Sequence, residues 1–174
     1  MAFTKPMFSL GLDVPNSAFQ LPGDSSGLAA GWTVDSGSPT VAGIFGGGKI
    51  GHPRQQRVTC SSGSTESVGI ISAPSAPYHL TVSETTLIFG AIELTAAQSG
   101  TDTVKLQVRW YDVDGVQVGS TATIVSVSLA TAKDGVYTGT ASVSLPASAV
   151  FARVVVLIDH ATGVSMYADL SFAG

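Results

Sequence analysis

The sequence has a single cysteine, Cys60, which rules out an internal disulfide and a cysteine-built zinc site. Cys60 alternates with Val58 in Gln56-Arg57-Val58-Thr59-Cys60-Ser61, the pattern of a small buried side chain rather than a reactive thiol. Charge is also scarce. Only 11% of the residues are charged, against about 25% in ordinary globular proteins. Eight Lys and Arg against twelve Asp and Glu give a net charge of −4, with no basic block, so nucleic acid is not an expected partner. No apolar run approaches the roughly 18 residues needed to span a bilayer, so no membrane role is expected. The opening Met1-Ala2-Phe3-Thr4-Lys5-Pro6 is no secretory signal, because Pro6, Ser9 and Gly11 break the apolar stretch. The expectation is an intact gene product that starts at its own methionine, is made in the host cytoplasm and is not exported through a cleaved signal. Helical periodicity is missing too: Ala91–Gln98 offers one turn at most, and its flanks read as strand.

What fills the space is Gly, Ser, Thr, Ala and Val, arranged in period-two segments separated by Gly, Ser, Pro and Asp clusters. Candidate strands fall near 17–20, 31–35, 55–61, 66–72, 78–82, 87–95, 103–112, 116–129, 136–144, 151–159 and 164–172. Gly46-Gly47-Gly48 and Ser61-Ser62-Gly63-Ser64 read as loops, and Pro74 and Pro77 mark an extended crossover. At 174 residues this is one domain with a sizeable core. The spacing predicts an all-β fold: an antiparallel β-sandwich of jelly-roll type over residues 14–174. Residues 1–13 show no alternation and are expected to form an N-terminal arm whose Phe3, Met7 and Phe8 dock on a partner.

The most informative stretch is 104–115. Val104, Leu106, Val108 and Trp110 alternate with Lys105, Gln107, Arg109 and Tyr111, then run into the turn signal Asp112-Val113-Asp114-Gly115. One face is therefore core, and Val154, Val156 and Ile158 are expected to join it. Trp32, opening a strand after Gly31, also reads as core. The other face is a candidate ligand or partner surface: Lys105, Gln107, Arg109 and Tyr111. An aromatic ring with Arg and Gln beside it suits a sugar. The same pattern also fits a solvated sheet face or one covered by a neighbouring subunit, and the low surface charge of a lone module favours the covered face.

No catalytic set competes with this reading. Gly46-Gly47-Gly48-Lys49 lacks phosphate-loop spacing. His52, His79 and His160 are dispersed and read as surface or edge residues rather than metal ligands. No Gly-x-Ser-x-Gly nucleophile elbow exists. Asp112, Asp114 and Asp159 fall at turns or strand ends, where aspartate ordinarily serves turns, and not as a glycosidase pair. The chain is expected not to be an enzyme, and a hydrolase ranks last.

Several motifs fall in the order of one superfamily. Asn16-Ser17-Ala18-Phe19-Gln20, Gly31-Trp32-Thr33-Val34, Gln56-Arg57-Val58-Thr59 with Gly69-Ile70-Ile71-Ser72, Trp110-Tyr111-Asp112-Val113-Asp114-Gly115, Ser144-Leu145-Pro146-Ala147 with Ala152-Arg153-Val154-Val155-Val156, and Tyr167-Ala168-Asp169-Leu170-Ser171-Phe172 span residues 14–172. In that order they resemble the carbohydrate-binding-module-like jelly rolls, a fold also found as accessory modules on bacteriophage virions. The resemblance carries Gln20 and Asp169 onto a structural calcium site. Glutamine in place of the family's glutamate removes a charge that a hard cation prefers, so no cofactor is expected. A lone module, poor in charge and rich in small residues, suits packing into an assembly. The leading expectation is therefore a non-enzymatic virion structural or accessory protein, decorating a phage head or forming part of a tail. Its partners would be capsid or tail subunits and further copies of itself, with weak attachment to a cell-surface glycan as a second role. The alternative is a free-standing carbohydrate-binding module.

Overall fold

The computed structural model describes residues 27–45, 54–60, 67–74, 85–97, 102–131, 133–160 and 166–171. These form ten strands and, among the described residues, no helix. They are β1 (Trp32–Ser36), β2 (Thr40–Phe45), β3 (Arg54–Cys60), β4 (Ser67–Ser72), β5 (Thr85–Ala97), β6 (Thr103–Tyr111), β7 (Gln117–Ser128), β8 (Lys133–Ser144), β9 (Phe151–Asp159) and β10 (Met166–Ser171). Two five-stranded sheets result, one ordered β1-β4-β9-β6-β7 and the other β2-β3-β10-β5-β8. Every pairing is antiparallel, and the chain crosses repeatedly between sheets, as in a jelly roll. The expected all-β sandwich is what the chain forms. The sequence pattern missed β2, whose Gly43 interrupts an otherwise short run, and Ala91–Ala97 continues β5 rather than turning into helix. The arm over 1–13, with Phe3, Met7 and Phe8, and the candidate strands near 17–20 and 78–82 lie outside the described residues.

Alternation decides the core. Along β6 the inward residues Val104, Leu106, Val108 and Trp110 are buried, and the residues between them are half-buried. They stand opposite Ile158, Val156, Val154 and Ala152 of β9, in that order. The largest side chain, Trp110, thus faces the smallest, Ala152, and both fit one layer. Ile70, Ile88, Ile92, Leu94, Cys60 and Trp32 add to the same cluster. Cys60 is buried as expected. Tyr137 lies against the core as well.

The sandwich closes at one edge through a glycine pair. Gly90 and Gly139 are register partners on β5 and β8. Ile124 of β7, from the other sheet, sits against both. A Cβ on Gly139 would lie 2.1 Å from the Ile124 carbonyl oxygen, which is backbone and cannot yield. Gly139→Ala should therefore push the two edge strands apart and cost roughly 1–3 kcal/mol, as overpacking does. Trp110→Ala should cost roughly 3–5 kcal/mol. Chemical denaturation checks both. Midpoints equal to that of the parent protein would contradict the packing described.

Candidate functional site

The outer face of the β1-β4-β9-β6-β7 sheet gathers a set of polar and aromatic side chains fixed by contact with one another. The strand alternation places Lys105, Gln107, Arg109 and Tyr111 there together on β6. β9 lies alongside and contributes Phe151, Arg153, Val155, Leu157 and Asp159 to the same side. Below the polar groups lies an apolar floor. Ile71 and Val155 are register partners on this side and are buried.

At one end, the Asp159 carboxylate pairs with the Lys105 ammonium and accepts hydrogen bonds from the Ser67 hydroxyl and, at 3.5 Å, from Thr103 Oγ1. Register explains the meeting: Asp159 stands opposite Thr103 on one side and Ser67 on the other. The hydrogen bond from Lys105, then that from Ser67, hold its pKa below the ordinary aspartate value of 3.8. Asp159 therefore ties three strands together instead of serving a turn.

In the middle, Arg109 Nη1 donates to both carboxylate oxygens of Asp35, at 2.8 and 3.0 Å. The two side chains are only 18% and 12% exposed. Asp35 belongs to β1, beyond β9 and β4 from Arg109. A bulge brings it inward: Val34 pairs with Ile70 and Ser36 with Gly69, so Asp35 is the extra residue. Gly69 leaves the room. A Cβ there would lie 3.0 Å from Ser36 Oγ and 3.4 Å from an Asp35 carboxylate oxygen.

At the other end, the Tyr111 and Phe151 rings stack, with centroids 5.4 Å apart and planes 9° apart. They are cross-strand partners. The Arg153 guanidinium carbon lies 5.9 Å from the Tyr111 ring centroid, at the outer limit of a cation–π contact. Arg153 Nε donates to the Ser72 carbonyl at 2.7 Å. Ser72 is itself fixed, since its Oγ accepts from the Val154 amide and donates to the Ala73 carbonyl. Beyond Tyr111, Asp112 Oδ1 accepts the Asp114 and Val116 amides, so Asp112 serves the hairpin as the sequence implied. Gln107 Nε2 donates to Thr123 Oγ1 at 3.2 Å.

The four β6 residues thus share one face, but Lys105 and Arg109 are engaged by carboxylates and Tyr111 by a second ring. The residues that complete this arrangement, Phe151, Arg153 and Asp35, were missed. Phe151 and Arg153 had a signal: they alternate with Ala152, Val154 and Val156 as the β6 residues do. Asp35 had none, since it arrives through the β1 bulge.

Elsewhere, His160 is not at the surface. It is buried, with Nδ1 3.4 Å from Asp102 Oδ1, where β9 ends and β6 begins. The Asp102 carbonyl also accepts the Leu129 amide. His52, His79 and Gln20 lie outside the described residues. Asp169 is placed only as a backbone position in β10, opposite Arg57 of β3. Among the described residues, no group of three or more His, Cys, Asp or Glu is arranged to hold a metal ion.

No protein-family model and no curated protein matches the chain by sequence. Solved structures do match, at identities that speak for the fold alone. A crystal structure of bacteriophage CBA120 tailspike protein 4 superposes with a TM-score of 0.57 at 11% identity, over 93% of this chain and 21% of that one. This chain thus spans about a fifth of the tailspike chain. The C-terminal family 22 carbohydrate-binding module of Clostridium thermocellum Xyn10B matches with a TM-score of 0.52 at 16% identity, over 91% of each chain. TmCBM61, solved in complex with β-1,4-galactotriose, matches with a TM-score of 0.52 at 12% identity, over 93% of this chain and 96% of that one. The chain has the jelly-roll fold of carbohydrate-binding modules, shared at a distance with a phage tailspike domain.

Asp159 gives the site a pH signature. Its folded pKa is lowered, so its contribution to stability is complete above the ordinary value of 3.8 and is lost as pH falls through the folded value. Asp159→Asn should be less stable than the parent at neutral pH, with the gap closing below about pH 4. Urea denaturation of both proteins across the acid range checks this. A gap that stays constant down to the lowest pH would show that the carboxylate is not held as described.

Proposed function

We propose that this chain is a non-catalytic glycan-binding module and that the outer face of the β1-β4-β9-β6-β7 sheet takes the sugar. The observation that carries the reading is the stacked Tyr111–Phe151 pair with Arg153 beside it. Sugar rings offer CH groups to aromatic surfaces and hydroxyls to guanidinium and amide groups, and both kinds of partner stand here within one sheet. The likeness to two separately solved carbohydrate-binding modules, each matched over nine-tenths of its length, supports the same reading. A role as a virion accessory module, expected first from the sequence, is a second reading. It is favoured by the likeness to the tailspike chain. The two are compatible where an assembly uses a module to reach a glycan.

Affinity electrophoresis through gels containing a panel of polysaccharides tests the binding role. At least one polysaccharide should retard the protein. Tyr111→Ala should weaken that interaction about tenfold, the equivalent of roughly 1.4 kcal/mol, with its circular dichroism spectrum unchanged. A protein that no polysaccharide retards, or a Tyr111→Ala variant that binds as the parent does, would contradict the assignment. For the second reading, co-sedimentation with phage particles should be seen if the module belongs to a virion, and its absence would count against that setting.

A further inference from the structure

Arg109 and Arg153 are direct register partners on β6 and β9. Like charges at such positions have Cβ atoms about 4.5–5.5 Å apart and destabilise a sheet. A chain of net charge −4, with only eight Lys and Arg in all, nonetheless sets two of them side by side. Asp35 neutralises Arg109. Among the described residues, Arg153 has no such partner. Its Nε is held by the neutral Ser72 carbonyl, and no carboxylate among the described residues pairs with its terminal nitrogens. The nearest acid along the chain beyond Tyr111, Asp112, is turned into the hairpin. Asp159 and Lys105 cancel each other at the far end of the face. Among the described residues, the charges fixed on this face are therefore three cations against two carboxylates, and the surplus sits at Arg153, beside the Tyr111–Phe151 rings.

A guanidinium held by its Nε presents both terminal nitrogens as a fork, the geometry that matches a carboxylate in two parallel hydrogen bonds. We infer that the glycan taken by this face is acidic: a chain containing uronic acid or another carboxylate-bearing sugar, with a ring against Tyr111 and Phe151 and its carboxylate on Arg153. This rests on the glycan-binding reading above and names the class of sugar within it.

The experiment is a set of calorimetric titrations with polygalacturonate, alginate and hyaluronan, each paired with its methyl-esterified form, which keeps the sugar backbone and removes the charge. At least one acidic polymer should bind about tenfold or more tightly than its ester, and added salt should narrow the difference. Arg153→Gln should abolish the difference between acid and ester. Asp35→Asn, which keeps a hydrogen-bond acceptor for Arg109 but leaves its charge unneutralised, should strengthen binding of the acidic polymer. Thermal melts of both variants establish that they remain folded. Equal affinity for acid and ester, or a preference for acid that survives Arg153→Gln, would overturn the inference while leaving the module a glycan binder. If neither form of any polymer binds and neutral xylan and galactan also fail, the glycan-binding reading itself falls, and the inference with it.

Discussion

Nine consecutive residue pairs join β6 to β9, from Thr103 opposite Asp159 to Tyr111 opposite Phe151. Everything described on either side of this sheet depends on that register. On the inner side it sets Trp110 against Ala152 and stacks valine and isoleucine layers beneath it. On the outer side it brings Tyr111 to Phe151, Arg109 to Arg153 and Thr103 to Asp159. Side chains alternate with period two, so a slip of β6 by one residue would carry Trp110 into solvent and Arg109 into the core. The energetic demand for burying Trp110, Val108 and Val156 thereby fixes the positions of the outer groups. A surface arrangement of six polar and aromatic side chains is specified by the hydrophobic packing behind it.

The outer face then has a charge problem of its own making. Two guanidinium groups on adjacent strands repel, and among the described residues only Arg109 meets a carboxylate. The neutralising carboxylate comes from β1 through a bulge, and it comes to rest where Gly69 has no side chain. The Asp35–Arg109 pair is mostly shielded from water, where ion pairs are screened little and removing one partner is costly. The fold thus builds one tight internal pair and holds the second arginine by its Nε, beside the Tyr111 ring. A ligand carboxylate would finish that pattern, relieving the repulsion that β6 and β9 impose.

The sequence carried much of this but not all. Strong alternation made β6 readable, and with it the identity of the core face, Trp110 included. It also placed Lys105, Gln107, Arg109 and Tyr111 on one side. The same alternation ran through 151–159, yet nothing local says that this strand lies beside β6, so Phe151 and Arg153 did not enter the site. Asp35 depends on a bulge and on a glycine more than thirty positions away, two events that neither periodicity nor composition records. His160 sits after a strand end, where a surface position is the ordinary expectation, and is instead buried against Asp102. β2 is short and interrupted by Gly43, so its own residues give little local signal, and it is seen only through its pairing with β3. The setting in a virion was argued from composition and resemblance, and those speak to context rather than to chemistry.

The central claim is that the β6–β9 outer face is the binding surface. Amide chemical-shift mapping by NMR, titrating the ¹⁵N-labelled protein with an acidic oligosaccharide, tests it most directly. The account predicts shifts concentrated at Arg109, Tyr111, Phe151 and Arg153 and fading toward Lys105 and Asp159. Shifts centred instead on the outer face of the other sheet, around the exposed Leu87, Phe89 and Val136, would contradict it.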